Sequence, residues 1–538
     1  MSPGGAKRPG RDAESSTFKR ADQSPGGAKR PGRDAESSTF KRPDVCLILE
    51  GTYPYVTGGV SAWIHQLLTA LPGIRFAIFH ISATAGEEPE RRYRLPPNVV
   101  RLVNVGIHGG DEPPAPGDPL PAAVWERVRA FHDRSPKDDL SGLGELLEHF
   151  SPAPGRGPSG HEFLYGKPAW QIVRALYEER APEMSFVDYF WTWRFTHLPI
   201  IRLLRAEVPE AAVYHTVSTG WAGLLATMTR ARTGRPMLLT EHGIYARERR
   251  IEIDQAEWIY VQRQVPMSLQ LGPGFFKDLW ARLFNRLSRL TYAHADLITT
   301  IFEGNRQAQL LDGADPAKTL VIPNGIDAER FARLAPVPAA PGELRVGFVG
   351  RVVPIKDVKT FIRAFKIVTE AVPGARAALV GPLDEDADYV AECRTLAATL
   401  GVEGRLTFTG SAEVAEVYPQ LDVLVLTSLS EGLPLVILEA AAAGLPVVAS
   451  DVGACRELLD GRSREDRALG PSGLITGLAD PAATAAAIVT LARDPGLRQE
   501  MGRAGQARVR RYYSEADLVE SYRAIYSRFI GAGRGEGA

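Results

Sequence analysis

From residue 44 onward, short apolar runs alternate with longer stretches whose apolar positions recur every three or four residues. Val45–Glu50, Arg75–Ser82, Val99–Val105, Ala211–His215, Met237–Thr240 and Asp296–Thr300 read as strands, each a short apolar run. Val60–Leu71 is amphipathic, and Glu257–Ala293 is long and mostly helical. Beyond a proline-rich link, Ala335–Pro341, the alternation becomes regular. Leu344–Gly350, Ala377–Gly381, Leu406–Gly410, Asp422–Ser428 and Pro446–Ser450 are strands, separated by a helix from about Val358, a helix to Leu400, a short helix and a helix opening near Pro434. A last helical stretch covers Ser514–Ile530. Strand, loop and helix in succession predict an α/β chain of two doubly wound, Rossmann-like parallel-sheet domains. They are placed at 44–334 and 342–512, with the linker 335–341 between them and a C-terminal helix and tail at 513–538. The segment 106–185, rich in proline and glycine and with few strand signals, is predicted to be a helical insertion covering one face of the first domain.

The first 43 residues are different in kind. Residues 2–20 and 24–42 are one nineteen-residue string repeated, and its Pro, Gly, Ser and charged composition cannot bury a core. A disordered tail is expected, its role open between a passive duplication and an electrostatic tether. The whole chain has 44% hydrophobic and 24% charged residues and a formal net charge of −1, which offers no basic field for nucleic acid. Its three cysteines, Cys46, Cys393 and Cys455, lack zinc or disulfide spacing. No apolar run approaches the eighteen or so residues that span a bilayer, and the N-terminus lacks the apolar core of a signal peptide. A soluble cytoplasmic protein is expected, free or docked peripherally on something else.

The candidate chemistry gathers in the second half. Ser430-Glu431-Gly432-Leu433-Pro434-Leu435 follows an apolar strand and opens an alanine-rich helix, with Pro434 suited to the first helical position and Glu439 about a turn and a half further on. Free amides and the positive end of a helix dipole suit a phosphate, and carboxylates suit sugar hydroxyls. Gly350-Arg351 and Lys356 place two cations just after another strand, positioned to neutralise a diphosphate. The apolar neighbours of Glu439 (Val436, Ile437, Leu438 and Ala440 to Ala443) predict that its carboxylate is buried and needs a partner.

The Glu-x7-Glu and Gly-Arg…Lys elements, with Val321-Ile322-Pro323-Asn324-Gly325-Ile326-Asp327 and Pro446-Val447-Val448-Ala449-Ser450-Asp451-Val452-Gly453, resemble the retaining GT-B glycosyltransferases of family 4. The resemblance spans about 44–530 and is strongest from about 290. Within that family, Glu50-Gly51-Thr52-Tyr53-Pro54-Tyr55-Val56-Thr57-Gly58-Gly59-Val60-Ser61 and Thr240-Glu241-His242-Gly243-Ile244-Tyr245 are most similar to the cytosolic glycosyltransferases of bacterial Pel exopolysaccharide synthesis.

The resemblance implies two lobes facing a cleft, with the final helix packed back on the first. It implies catalytic roles for Arg351, Lys356, Glu431 and His242. Donor contacts are implied at Gly58, Gly59, Asn324, Gly432, Leu433, Pro434, Leu435 and Glu439, the last holding the ribose hydroxyls. His215, Ser218, Glu241 and Tyr245 are weaker acceptor-side candidates. A lone histidine such as His215 is more often a satisfied structural residue, and Glu241 and Tyr245 belong to a polar cluster that suits either saccharide binding or a plain ion-pair network. Asp384-Glu385-Asp386 formally resembles a metal-binding Asp-x-Asp, but it sits at a predicted helix start, where acidic residues are favoured anyway. No metal or cofactor is expected, the nucleotide-sugar being a substrate. No Gly-x-Gly-x-x-Gly follows a strand, which removes support for a dinucleotide dehydrogenase. The expected activity is transfer of a hexosyl or N-acetylhexosaminyl unit from a UDP-sugar to a growing exopolysaccharide, beside membrane-embedded export proteins. The alternatives are a glucosyltransferase like glycogen or starch synthase using ADP-glucose, and a non-catalytic sugar-nucleotide sensor or scaffold.

Overall fold

The computed structural model describes residues 42–84, 90–108, 121–134, 160–256 and 274–534. The repeated N-terminal segment lies outside them, as do parts of the segment expected to be an insertion. Seven strands form the first sheet: Val45–Glu50 (β1), Phe76–Thr84 (β2), Val99–His108 (β3), Val213–Thr216 (β4), Met237–Glu241 (β5), Leu297–Thr300 (β6) and Thr319–Val321 (β7). Their spatial order is β3-β2-β1-β4-β5-β6-β7, and every neighbouring pair is parallel. The second sheet holds Leu344–Val349 (β8), Ala375–Val380 (β9), Leu406–Gly410 (β10), Val423–Leu426 (β11), Val447–Ser450 (β12) and Gly473–Thr476 (β13). It too is wholly parallel, in the order β10-β9-β8-β11-β12-β13. Both sheets start in the middle and wind outward in each direction, so each has a switch point beside its first strand.

The inner strands carry side chains buried on both faces, which is why they read as continuous apolar runs rather than alternating ones. β7 and β13 are the exceptions. They are edge strands of three and four residues with partly exposed side chains, and neither is among the strands expected from the sequence. Of the expected helix Glu257–Ala293, the part from Gly274 is seen and runs to His294; a separate helix, Tyr245–Gln255, precedes it. In the expected insertion lie the helices Ala122–Arg134, Gly160–Tyr165 and Lys167–Arg180, followed by Phe186–Leu204.

The chain returns at its end. The helix Glu515–Arg534 leaves the second lobe and packs Leu518, Val519, Tyr522, Tyr526 and Phe529 into the first-lobe core with Val45, Leu47 and Trp63. The Tyr522 hydroxyl hydrogen-bonds with Thr240 Oγ1 at 2.9 Å and Thr299 Oγ1 at 3.1 Å. Tyr526 meets His215 Nδ1 at 2.7 Å, and His215 Nε2 meets Thr240 Oγ1 at 2.8 Å. Buried tyrosines need such partners, so this polar seam fixes the register of the helix against β4, β5 and β6.

Burial pushes the His215 pKa down to about 3. The unfolded chain takes up a proton near pH 6.5 that the folded chain refuses until about pH 3, so this histidine's stabilisation is complete above 6.5 and declines as pH falls through that window. His215→Asn is therefore expected to lower the melting temperature at pH 7 while shrinking the further loss between pH 7 and pH 5. Thermal melts across that range check both signs.

Candidate active site

A cleft of about 1150 Å³ runs between the two sheets. Its walls are loops that leave the C-terminal ends of strands, where a doubly wound sheet presents its ligand groups. From the first lobe come Glu50, Gly51 and Thr52 after β1, Ser218 after β4, His242 to Arg249 after β5, and Asn324 after β7. From the second lobe come Arg351, Ile355 and Lys356 after β8, Ser430 to Leu433 and Leu435 after β11, and Gly453 after β12.

The second-lobe wall carries the charge. Lys356 closes a short 3-10 turn, Pro354–Lys356, and Asp357 follows in the left-handed region at φ 44°. Asp tolerates that conformation better than most residues, and its side chain here caps the next helix by accepting from Thr360 N. Thr427 Oγ1 donates to the carbonyl of Asp357 at 2.9 Å, tying this turn to β11. Lys356 Nζ donates to Glu431 Oε1 at 2.5 Å, and Ser428 Oγ donates to the same oxygen at 2.6 Å. Side-chain exposures of 18% and 11% make this a partly desolvated pair, stronger than a surface ion pair. The loop around Glu431 is clamped from behind: Ala454 N donates to Gly432 O at 2.9 Å, and a Cβ on Gly453 would lie 2.2 Å from Glu431 O. Gly453, at φ 52°, is therefore required by conformation and by close approach.

Arg351 donates to Glu385 Oε2 at 3.1 Å on the cleft rim. Within the acidic triplet, Glu385 pairs with Arg351 and Asp386 caps the helix Ala387–Thr399. Among the described residues no group of three or more His, Cys, Asp or Glu could hold a metal ion. Pro434 caps its helix instead of occupying the first helical position, and the helix proper is Leu435–Ala442. Glu439 does not line the cleft. It is half-buried behind the turn, where it accepts from the Tyr418 hydroxyl at 2.7 Å, and burial raises its pKa.

The first-lobe wall corrects several sequence expectations. His215 is fully buried with both ring nitrogens engaged, so it belongs to the seam under the C-terminal helix and not to an acceptor site. Glu241 reaches the cleft, but its carboxylate is occupied. Oε1 accepts from Thr219 Oγ1 and Tyr245 N, and Oε2 accepts from the Tyr292 hydroxyl and Gln309 Nε2. Four donors on a carboxylate 1% exposed describe a structural anchor for the loop after β5. Of the glycine pair, Gly59 lines the cleft and Gly58 is not among its lining residues.

His242, by contrast, lines the cleft, and both its ring nitrogens are shielded from solvent without a hydrogen-bond partner. Burial pushes its pKa down to about 4, so the ring is neutral at physiological pH. Asn324 Oδ1 and Thr52 Oγ1 are likewise buried and without partners, and both residues line the same cleft. Such orphans cluster where a structure keeps groups for something other than its own stability. Beside them, Glu50 accepts from the Tyr245 hydroxyl at 2.7 Å and from Ser218 Oγ at 3.4 Å. Glu50 and Thr52 were missed as individual site residues. The available signal was position, since both follow immediately on the first apolar strand of an α/β domain.

Comparison with known proteins gives this cleft a family. The family described as "Domain of unknown function (DUF3492)" matches residues 43–317, just over half of the chain, and "Glycosyl transferases group 1" matches residues 343–494. A D-inositol 3-phosphate glycosyltransferase of Nocardia farcinica is 30% identical over 355 residues, 62% of this chain and 72% of that protein. The chain is a group 1 glycosyltransferase whose first half is a DUF3492 domain. A glycosyltransferase of the same name from Geodermatophilus obscurus is 35% identical over 238 residues, 41% of this chain and half of that protein. Two solved structures share the GT-B fold over its full length. Sucrose-phosphate synthase from Thermosynechococcus elongatus matches with a TM-score of 0.55 at 17% identity, covering 91% of this chain and all of that one. Anabaena Alr3699/HepE, solved in complex with UDP, matches at 0.54 and 15%, covering 90% of this chain and all of that one.

Two glycines of this transferase separate packing from ligand space. A Cβ on Gly220 would sit 2.3 Å from Tyr245 Cζ and 2.7 Å from Glu50 Oε2, whereas a Cβ on Gly59 would meet nothing within 4 Å. Gly220→Ala is expected to lower stability by about 1–3 kcal/mol, as overpacking does. Gly59→Ala is expected to stay within about 0.5 kcal/mol of the parent in urea unfolding yet to lose transfer activity, because its methyl enters the cleft.

Proposed function

We propose that the chain is a retaining, metal-independent transferase that moves a hexosyl or N-acetylhexosaminyl unit from a UDP-sugar to a growing exopolysaccharide of the Pel type. The observation that carries this reading is the Lys356–Glu431 pair on one wall of a cleft whose other wall holds the unpartnered polar atoms of His242 and Asn324. A nucleotide-sugar offers each of these groups what it lacks. Its diphosphate attracts Lys356 and Arg351, and the transferred sugar's hydroxyls suit Glu431, His242 and Asn324.

The proposed sequence of events follows from charge. As the bond between the anomeric carbon and the β-phosphate oxygen breaks, negative charge grows on that oxygen, and Lys356, Arg351 and the amides around Gly432 to Leu435 stabilise it. Pro434 has no N–H to contribute. Glu431, released from Lys356, accepts from sugar hydroxyls. Glu439 is proposed to hold the ribose hydroxyls from its place behind the turn, where the Tyr418 hydroxyl donates to one of its oxygens. The acceptor hydroxyl attacks from the face the diphosphate leaves and gives its proton to the departing β-phosphate oxygen, so the anomeric configuration is retained and no covalent intermediate is invoked. The acceptor approaches along the first lobe, past Ser218, Tyr245 and Glu50. No described helix is long and apolar enough to cross a membrane, so delivery of the product to a membrane exporter is assigned to partner proteins.

Purified protein is expected to release UDP from one member of a UDP-sugar panel in the presence of acceptor. Lys356→Ala is expected to cut the rate by about 10²–10³, the usual loss for one preorganised charge-stabilising donor. Turnover with ADP-glucose alone would transfer the assignment to a glycogen-synthase-like enzyme. Binding without turnover, with acceptor and partners supplied, would make the chain a sensor.

A further inference from the structure

We infer that Trp63 is the positioning residue for His242, holding its ring at the transferred sugar and excluding water from it. The inference rests on the role proposed for His242 above and adds the residue that makes that role possible. Trp63 lies on the helix Gly59–Ala70 and is 4% exposed. Its ring stands edge-on to His242, with centroids 4.8 Å apart and an interplanar angle of 72°. Neither His242 nitrogen makes a hydrogen bond, so this aromatic contact does what a carbonyl or carboxylate partner does for most functional histidines. The backbone at this position is fixed separately, by Asn305 Nδ2 donating to His242 O at 2.9 Å.

Trp63 is itself held from behind. Tyr522 of the C-terminal helix packs against it at 5.2 Å and 73°, and the Tyr522 hydroxyl is secured by Thr240 and Thr299. A chain of contacts therefore runs from the returning helix through Trp63 to the cleft. The charges around His242 do not replace this burial as the cause of its neutrality. On the first lobe Glu50, Glu248, Arg247 and Arg249 line the cleft, Arg247 pairing with Asp312 and Arg249 with Glu252. On the second-lobe wall Lys356 pairs with Glu431, and Arg351 pairs with Glu385 at the rim. Cations and anions thus balance, while His215, behind the site, is itself neutral. Desolvation is the cause that lowers the pKa of His242.

The test uses the full chain with His242 followed by NMR in protein carrying ¹³C-labelled histidine, alongside steady-state kinetics. In the parent, the His242 resonance is expected to stay flat from pH 5 to pH 8. In Trp63→Leu it is expected to titrate with a midpoint near the ordinary value of about 6.5. Turnover in that variant should fall about a hundredfold, the scale of a small misplacement of a reacting group, with donor KM within about twofold. Trp63→Phe keeps an aromatic edge against His242 and is expected to restore the flat titration and most of the turnover, which a loss of folding alone would not do. A flat His242 titration with unchanged turnover in Trp63→Leu would overturn the inference, as would a loss of turnover that Trp63→Phe does not recover. Full activity in His242→Ala would instead remove the role proposed for His242, a different failure with a different signature.

Discussion

A parallel strand delivers its following loop to one edge of its sheet only, and this constraint organises the whole molecule. Thirteen described strands in two wholly parallel sheets send their loops to two edges, and the cleft is lined by residues after eight of those strands. Nothing else in the sequence brings Glu50, His242, Asn324, Lys356 and Glu431, scattered over some 380 residues of chain, into one space. The return of Glu515–Arg534 to the first lobe then ties the two sheets together at a second point, beyond the covalent link. Its tyrosine hydroxyls are satisfied only if that docking is correct in register.

Electrostatics decides what such a cleft accepts. Many of its charged groups are partnered: lysine with glutamate at the centre, arginine with glutamate at the rim, and the Glu50 carboxylate with the Tyr245 hydroxyl. Desolvated charges without partners are costly, so an empty cleft that must later hold an anion keeps its cation neutralised by a carboxylate that the incoming molecule will also need. Lys356 and Glu431 fit that description. A ligand offering an anion but no hydroxyls would satisfy one of them and strand the other, whereas a sugar diphosphate satisfies both. Deeper in the second lobe, Arg508 and Asp466 form a pair 1% and 0% exposed, with Arg508 also donating to the carbonyls of Leu459 and Gly470. That pair is structural, and it shows that burial of charge alone does not mark function.

Much of this architecture was readable in the sequence because buried parallel strands and amphipathic helices differ in length and period. The central strands of both sheets, the helix at Val358 and the returning helix fall within a few residues of where apolar patterning puts them. Arg351, Lys356 and Glu431 were readable for a related reason. Each lies in the loop after a strong strand, which is where a doubly wound sheet lines its cleft. What patterning could not resolve was the direction of a polar side chain at a strand end. His215 and His242 both lie at the ends of first-lobe strands, yet one turns under the C-terminal helix and the other into the cleft. The difference is made by Tyr526, 311 residues away from His215. Glu241 was ambiguous in the same way, since its four donors come from separate segments of the chain. Trp63 looked like one more apolar position on an amphipathic helix, and only its contact with His242 sets it apart.

The central claim is that one cleft seats a sugar diphosphate between the cations after β8 and the turn after β11. The most direct test is a crystal structure of the chain soaked with a non-hydrolysable UDP-sugar. The account predicts phosphate oxygens within hydrogen-bonding distance of Lys356 and Arg351, with the Lys356–Glu431 contact opened. A diphosphate bound elsewhere, with that ion pair intact, would contradict it.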